Sequence, residues 1–268
     1  MDPDLITKTV QAVKTGQSAC FATIIEASKG TPRKIGAKMV VLQDGSLLGT
    51  IGGGSSEKKA REECLKAIKT KRSKVVTYEH FGKPGQPVCG GYIKVFIEPI
   101  LAESHIVICG GGHIALPLSA IAKILNFKVT VLDNRKDFAN KKRFGHADAI
   151  FSGDYIKNLC KIPVNPNTYI IIVTHGHEHD FECLKAVIKS QAAYVGVISS
   201  QIKQLKFLKD LKKLKISTSD LHKLQMPVGI DIGAQTPEEI AVSIMAEIIA
   251  VQNKDLMGTD KFKMKKIN

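Results

Sequence analysis

The sequence has no C-x-x-C pair. Its six cysteines (Cys20, Cys64, Cys89, Cys109, Cys160 and Cys183) lie far apart, which argues against a disulfide framework and for reduced thiols. No run approaches 18 apolar residues, so no segment reads as a membrane span. The opening Met1-Asp2-Pro3-Asp4 lacks the basic region and apolar stretch of an export signal. These absences predict a soluble, cytoplasmic protein with no membrane partner. There is no internal repeat. No helix-turn-helix, zinc-finger or RNA-recognition pattern is present either, so nucleic acid is not an expected partner. Acidic charge is also scarce, with 25 Asp+Glu against 39 Lys+Arg and a net charge of +14. That excess concentrates anions near the surface without choosing among them. Most of the basic residues recur along helix-like stretches and read as solvated faces.

What is present fits an ordinary globular chain, 44% hydrophobic and 24% charged over 268 residues, long enough for one large or two modest domains. The first half reads as mixed α+β. A helix is expected over Leu5–Thr15, a strand over Ala19–Ile25, and a Gly/Pro/basic loop over Ser28–Gly36. Strands at Lys38–Leu42 and Ser46–Thr50 flank Asp44-Gly45, a dipeptide that tolerates the positive φ of a hairpin. Gly52-Gly53-Gly54 precedes a helix over Ser55–Thr70. Strands at Lys74–Tyr78 and Tyr92–Ile97 surround a loop from Phe81 to Gly91.

Beyond Pro99–Glu103 the rhythm changes. Apolar strands at Ile106–Cys109, Lys128–Leu132, Tyr169–Thr174 and Tyr194–Ile198, with a weaker one at Ala149–Phe151, alternate with helical patterns. The helices are expected near His113–Leu125, Phe181–Lys189, Ile202–Leu214 and Pro237–Val251. Strand–helix alternation implies a parallel sheet covered on both faces. The predicted fold class is therefore α/β, a Rossmann-type domain over residues 103–268 preceded by a smaller α+β domain over residues 1–102.

The first strand of the second half enters Gly110-Gly111-Gly112-His113-Ile114-Ala115, a G-x-G-x-x-A turn that opens a helix. Its first glycine makes the tight turn, its second lets backbone approach a pyrophosphate, and the small third residue lets the helix sit close to the sheet. The helix N-terminus then offers amides to phosphate. Asp133 ends the next strand, about 20 residues on, where an acid accepts from a ribose hydroxyl. Arg135 is placed to pair with a phosphate. His113 is read as a helix cap or a phosphate contact.

A second polar cluster, Thr174-His175-Gly176-His177-Glu178-His179-Asp180, follows a buried strand, at the strand end where open α/β sheets bind ligands. Asp180 is expected to cap the next helix and the histidines to face a cofactor. A zinc site built from His175, His177, His179 and Asp180 is the competing chemistry. In the first half, Gly52, Gly53 and Gly54 form another amide-rich helix start, with Ser55 or Ser56 as cap. Arg33 is a forked partner for phosphate or a polar heterocycle. Cys89 sits in a glycine loop where a thiol can be exposed.

Together these stretches resemble the XdhC/CoxI family, the accessory proteins of xanthine dehydrogenase and related molybdenum hydroxylases. The match runs through Gly30-Thr31-Pro32-Arg33, the Gly49–Gly54 loop with Glu57, Cys89-Gly90-Gly91, Gly110–His113, Asp133 with Arg135, Gly176–Asp180, and Pro227–Ala241. In the last motif Thr236, Pro237 and Glu239 make a capping box. The resemblance implies a non-catalytic carrier that binds molybdenum cofactor, an anionic pterin phosphate sometimes extended as a cytosine dinucleotide. It implies delivery to an apo molybdenum hydroxylase of the xanthine dehydrogenase type, a cysteine desulfurase as a second partner, and a homodimer as the default assembly. The cofactor-binding residues it implies are Arg33, Gly52, Gly53, Gly54, Ser55, Cys89, Gly110, Gly112, His113, Asp133, Arg135, His177 and Asp231, with no catalytic or metal-ligating set. Two positions depart from the family. Ser55 stands where cysteine is common, and Ser199-Ser200-Gln201-Ile202-Lys203 replaces a stretch usually richer in arginine. The competing function is an NAD-dependent oxidoreductase using the same glycine turn, although no Tyr-x-x-x-Lys or His/Asp pair for hydride transfer is evident.

Overall fold

The computed structural model describes residues 3–29, 31–79 and 91–253, without the side chains of residues 177 and 178. The chain divides into two compact units, Met1–Ala102 and Glu103–Asn268.

The first unit runs α1 (Pro3–Lys14), β1 (Ala19–Ala27), β2 (Lys38–Leu42), β3 (Leu47–Gly49), α2 (Gly54–Thr70), β4 (Lys74–Glu79) and β5 (Tyr92–Ile100). Its sheet is antiparallel in the order β3-β2-β1-β5-β4. The Asp44-Gly45 corner forms as expected. Gly45 takes φ +86°, and the Asp44 carboxylate accepts from the Ser46 amide at 2.8 Å. Helix α2 buries Ala60, Cys64, Ala67 and Ile68 in a cluster with Cys20, Ala22, Ile24, Val95 and Ile97 of the sheet. Each large aliphatic side chain in such a core contributes about 1.5–3 kcal/mol.

The second unit alternates strand and helix: β6 (His105–Cys109), α3 (Ala115–Ile124), β7 (Lys128–Asp133), α4 (Lys141–Phe144), β8 (Ala149–Ser152), α5 (Tyr155–Leu159), β9 (Thr168–Ile172) and α6 (His177–Val187). It continues with β10 (Tyr194–Val197), α7 (Gln201–Lys213), α8 (Thr218–Leu221), β11 (Leu224–Gln225) and α9 (Pro237–Gln252). All six strands are parallel, in the order β11-β10-β9-β6-β7-β8. Every residue of β6, β9 and β10 is buried, because helices cover both faces of the sheet. Leu118, Ala122, Ile244 and Ile248 of α3 and α9 pack in one core cluster; Leu159, Leu184, Phe207 and Leu211 of α5, α6 and α7 pack in the other. The strand order reverses between β6 and β9, the switch point at which doubly wound sheets bind ligands.

Several boundaries differ from the sequence expectation, three of them beside the loops at the carboxyl edge of the second sheet. Helix α3 begins at Ala115 rather than His113, since residues 113–114 form a turn. Strand β9 ends at Ile172, and α6 starts at His177, four residues before Phe181. Gly176, at φ +113°, makes the early helix start reachable by taking a conformation that a side chain would strain. The short helices α4, α5 and α8 were not expected. Each is started by one polar side chain, Asn140, Asp154 or Ser217, accepting from the amide three residues on.

Candidate functional site

The N-terminal loops bring Arg33 and Gly52–Ser55 into one neighbourhood. A Cβ at Gly52 would come within 2.9 Å of the Pro32 ring and 3.6 Å of Arg33 Cγ, so the Thr31–Arg33 turn lies directly on the glycine loop. Three amides of that loop, those of Ile51, Gly52 and Gly53, are already engaged. Glu57 Oε2 accepts from the Thr50 hydroxyl at 2.5 Å, the Ile51 amide at 3.1 Å and the Gly53 amide at 3.1 Å, and Gly52 donates to Thr50 Oγ1. Burial pushes the Glu57 carboxyl up, yet the bonds from Thr50, Gly53 and Ile51 and the nearby Arg33 charge hold it below its ordinary value. The turn therefore carries an anion of its own. Gly53 is the N-cap of α2 and no side chain caps it; Ser55 and Ser56 lie inside the helix, which corrects the capping role expected of them. Ser55 is exposed and lines a cavity of about 330 Å³ with Ser56, Lys59 and Tyr78. Cys89 lies outside the described residues.

In the second unit the glycine turn sits at the carboxyl edge of the sheet, at the switch point. Gly110 takes φ +121°, and a Cβ there would meet the Val173 carbonyl oxygen at 2.3 Å. A Cβ at Gly111 would meet the Phe138 carbonyl oxygen at 2.5 Å, whereas one at Gly112 meets nothing within 4 Å. The first two glycines are thus demanded by the protein's own backbone, and Gly112 is the one facing open space. His113 is exposed and caps nothing: the N-cap of α3 is Ile114, with no side-chain bond.

Asp133 is wholly buried at the end of β7. Its Oδ2 accepts from the Gly111 amide at 2.7 Å and from Arg135 Nη2 at 2.9 Å; its Oδ1 accepts from the Arg135 amide and Nε, each at 2.9 Å. Four donors use the full acceptor capacity of a carboxylate. Burial raises the Asp133 carboxyl, but Arg135 and the two amides hold it below the usual carboxylate range. The Arg135 guanidinium also lies 3.6 Å from the centroid of the Phe138 ring. The acid expected at a ribose and the arginine expected at a phosphate are bonded to each other, and they fix the glycine turn from behind.

The histidine loop leaves the same edge. The ring of His179 lies 5.9 Å from that of His175 and 5.5 Å from that of Tyr155, and its Nε2 is 3.4 Å from Asn134 Nδ2. Asp180 turns away from the histidines. It is 1% exposed and accepts from the Thr174 amide at 3.1 Å, the Thr174 hydroxyl at 2.6 Å and the Lys203 ammonium. Lys203, 9% exposed, also donates to the Ile198 carbonyl at 2.9 Å. This buried ion pair joins the first turns of α6 and α7. Asp180 therefore does not cap α6, whose N-cap is Gly176 without a side-chain bond. Among the described residues no three His, Cys, Asp or Glu side chains gather as a metal site; the His177 side chain is not described.

Asp231 stands apart from the glycine turn residues in sequence and lines a cavity of about 620 Å³ at the carboxyl ends of β10 and β11. The wall includes Ser199, Val228, Gly229 and Glu247. The capping box at Thr236 is formed as expected: Thr236 Oγ1 accepts from the Glu239 amide at 3.2 Å, and Glu239 Oε2 from the Thr236 amide at 3.0 Å. Sequence reading missed Glu57, Lys203 and Glu247 as site-forming groups. Four cysteines, Cys20, Cys64, Cys109 and Cys183, are buried. A hydrogen bond to Cys20 and burial push the Cys64 thiol up, and a bond to Cys183 with burial does the same for Cys109, which leaves those thiols inert.

Comparison with known proteins returns two family matches, one within each unit. Residues 106–248 match the family model described as the XdhC Rossmann domain, and residues 12–79 match that of the XdhC and CoxI family. The uncharacterized protein YqeB of Escherichia coli is 30% identical over 251 residues, covering 91% of this chain and 46% of its own length. A probable xanthine dehydrogenase subunit from Bacillus subtilis is 28% identical over 161 residues, covering 60% of this chain and 47% of its own. The chain thus spans about half the length of these two relatives. The molybdenum cofactor insertion chaperone PaoD of Escherichia coli is 23% identical over 277 residues, covering 91% of this chain and 86% of its own. A crystal structure described as a xanthine dehydrogenase from Bacillus halodurans shares the fold, with TM-score 0.51 and 22% identity over 96% of this chain and 98% of that one.

Proposed function

The chain belongs to the XdhC and CoxI family, and on that premise we propose that it is a maturation factor that binds molybdenum cofactor and hands it to a xanthine dehydrogenase-type molybdenum hydroxylase. The observation that carries this reading is the match to the insertion chaperone PaoD, which spans nearly the whole of both chains. The cofactor is cargo here, and the residues present fit parts of it. Gly112 offers open backbone beside the start of α3, a position suited to a phosphate. The cavity beside Asp231 is within the size range of small-molecule sites. Ser55, a hydroxyl where a thiolate would be the stronger ligand for metal or sulfur, puts the grip on the phosphate and pterin ends. A cysteine desulfurase as sulfur donor, the cytosine dinucleotide form and a homodimer belong to the same proposal.

The reading as an NAD-dependent oxidoreductase has the glycine turn in its favour and Asp133 against it, because that carboxylate would have to release a protein donor to accept from ribose. The test is direct. Purified chain is incubated with molybdenum cofactor released from a molybdoenzyme, gel-filtered, and assayed for oxidised pterin fluorescence and for molybdenum. Retention of both near one per chain is expected. Protein emerging with neither refutes the proposal, and calorimetric heat with NAD or NADH would favour the oxidoreductase.

A further inference from the structure

Helix α9 turns a mostly apolar face inward, with Ala241, Ile244, Met245 and Ile248 buried. Glu247 interrupts that face and is only 5% exposed. Its Oε2 is held in place, accepting from the Gly229 amide at 2.7 Å and from the Tyr194 hydroxyl. Both of those bonds are to Oε2, and the side chain lines the cavity of about 620 Å³. Ser199, on the same wall, has a buried hydroxyl oxygen that lacks a partner. Buried polar groups are normally satisfied, and each exception calls for a reason. One unpartnered hydroxyl and one nearly buried carboxylate lining the same cavity point to a guest that engages both.

The lining also says what kind of guest. Ile198, Val228 and Ile232 give apolar walls, which suit a flat ring. Glu247 and Asp231 put two acids around the space, which disfavours a phosphate or carboxylate. A carboxyl oxygen seeks an N–H, and a serine hydroxyl can give or accept.

We propose that this cavity receives a planar nitrogen heterocycle through its amino edge, Glu247 Oε1 accepting an N–H and Ser199 supplying the second polar contact. The pterin of the cargo has that edge, in its 2-amino group and adjacent ring N–H. The assignment rests on the carrier reading and adds where the pterin end lies, with the phosphate held elsewhere. Glu247 and Ser199 are binding residues in this role and perform no chemistry.

The probe is pterin itself, 2-amino-4-oxopteridine, titrated by its fluorescence against the full chain. Lumazine, the same ring system with an oxygen in place of the 2-amino group, is the control. Wild-type protein is expected to bind pterin and to bind lumazine at least about tenfold more weakly, the scale of leaving one buried hydrogen-bonding group unpaired. Glu247→Gln keeps an oxygen for Gly229 and turns an amino donor toward the cavity, so pterin affinity falls by about tenfold or more. Ile232→Trp fills the rim at a residue 52% exposed, where folding is little disturbed, and it abolishes pterin binding even if Glu247→Gln does not fold. Equal binding of pterin and lumazine, no binding of pterin, or unchanged affinity in folded variants overturns the assignment. Cofactor retention on gel filtration, measured in parallel, separates the two ideas. Retention without pterin discrimination sinks this site and leaves the carrier standing; pterin discrimination without retention does the reverse.

Discussion

Replacing Lys203 by methionine takes a cation from a place that water barely reaches while keeping all but the last atom of the side chain's length. In the native structure Lys203 and Asp180 are 9% and 1% exposed and bonded directly. At an effective dielectric near 20, unit charges about 4 Å apart attract by about 4 kcal/mol. The variant loses that attraction but keeps the buried carboxylate, with only the Thr174 amide and hydroxyl as donors. Breaking one partner of a buried pair costs about 3–5 kcal/mol, which for a unit of this size lowers the melting temperature by roughly 10 °C. The double variant Asp180→Asn with Lys203→Met leaves no stranded charge, and its amide oxygen still accepts from Thr174. It is expected to recover more than half of the loss. Urea unfolding followed by circular dichroism, run on both single variants and the double, measures the coupling directly. A loss below about 1 kcal/mol for Lys203→Met, the level of an exposed pair, would refute the reasoning, as would a double variant no better than the single.

Burial holds His105 neutral, with its pKa lowered from 6.5 to about 4 and its Nε2 2.8 Å from the Thr130 hydroxyl. The unfolded chain therefore takes up the proton first as pH falls, so this contribution is complete above about 6.5 and lost toward 4. It amounts to about 3 kcal/mol, and a His105→Gln variant should show a flatter stability profile in that window. Glu57→Ala removes the acceptor shared by Thr50, Ile51 and Gly53 and is expected to cost about 2 kcal/mol. Sulfate should then raise the melting temperature of the variant by more than it raises that of wild type. Gly110→Ala adds about 1–3 kcal/mol of backbone strain to a clash with the Val173 carbonyl; soluble protein with a native melting temperature would contradict that geometry.

The second unit was legible because its signals are local. Four apolar residues running into three glycines can hardly be anything but a strand meeting a tight turn, and Thr236-Pro237-Glu238-Glu239 announces a helix start in its own side chains. The site was less legible because the same residue serves opposite ends. An acid one strand beyond a glycine turn can hold a ribose or the turn itself, and only the positions of the Gly111 amide and the Arg135 fork show that Asp133 does the second. Lys203 lies in a helix rich in lysine, where a solvated face is the ordinary reading; its burial depends on Asp180, contributed by a different helix. Glu57 looks like a surface residue of α2 until the preceding loop folds back over it. The early start of α6 was hidden for a similar reason: Gly176 permits it, and Asp180 secures Thr174 across the turn.

The carboxylate of Glu57 gives its glycine loop a tethered competitor. A side chain four residues away occupies the loop at an effective concentration of at least millimolar order, so an outside anion gains only the difference between itself and the occupant. Grip at that loop is weak by construction, and departure restores bonds that were there before arrival. On the carrier reading we propose, such a loop would give up its cargo without needing to be pried open.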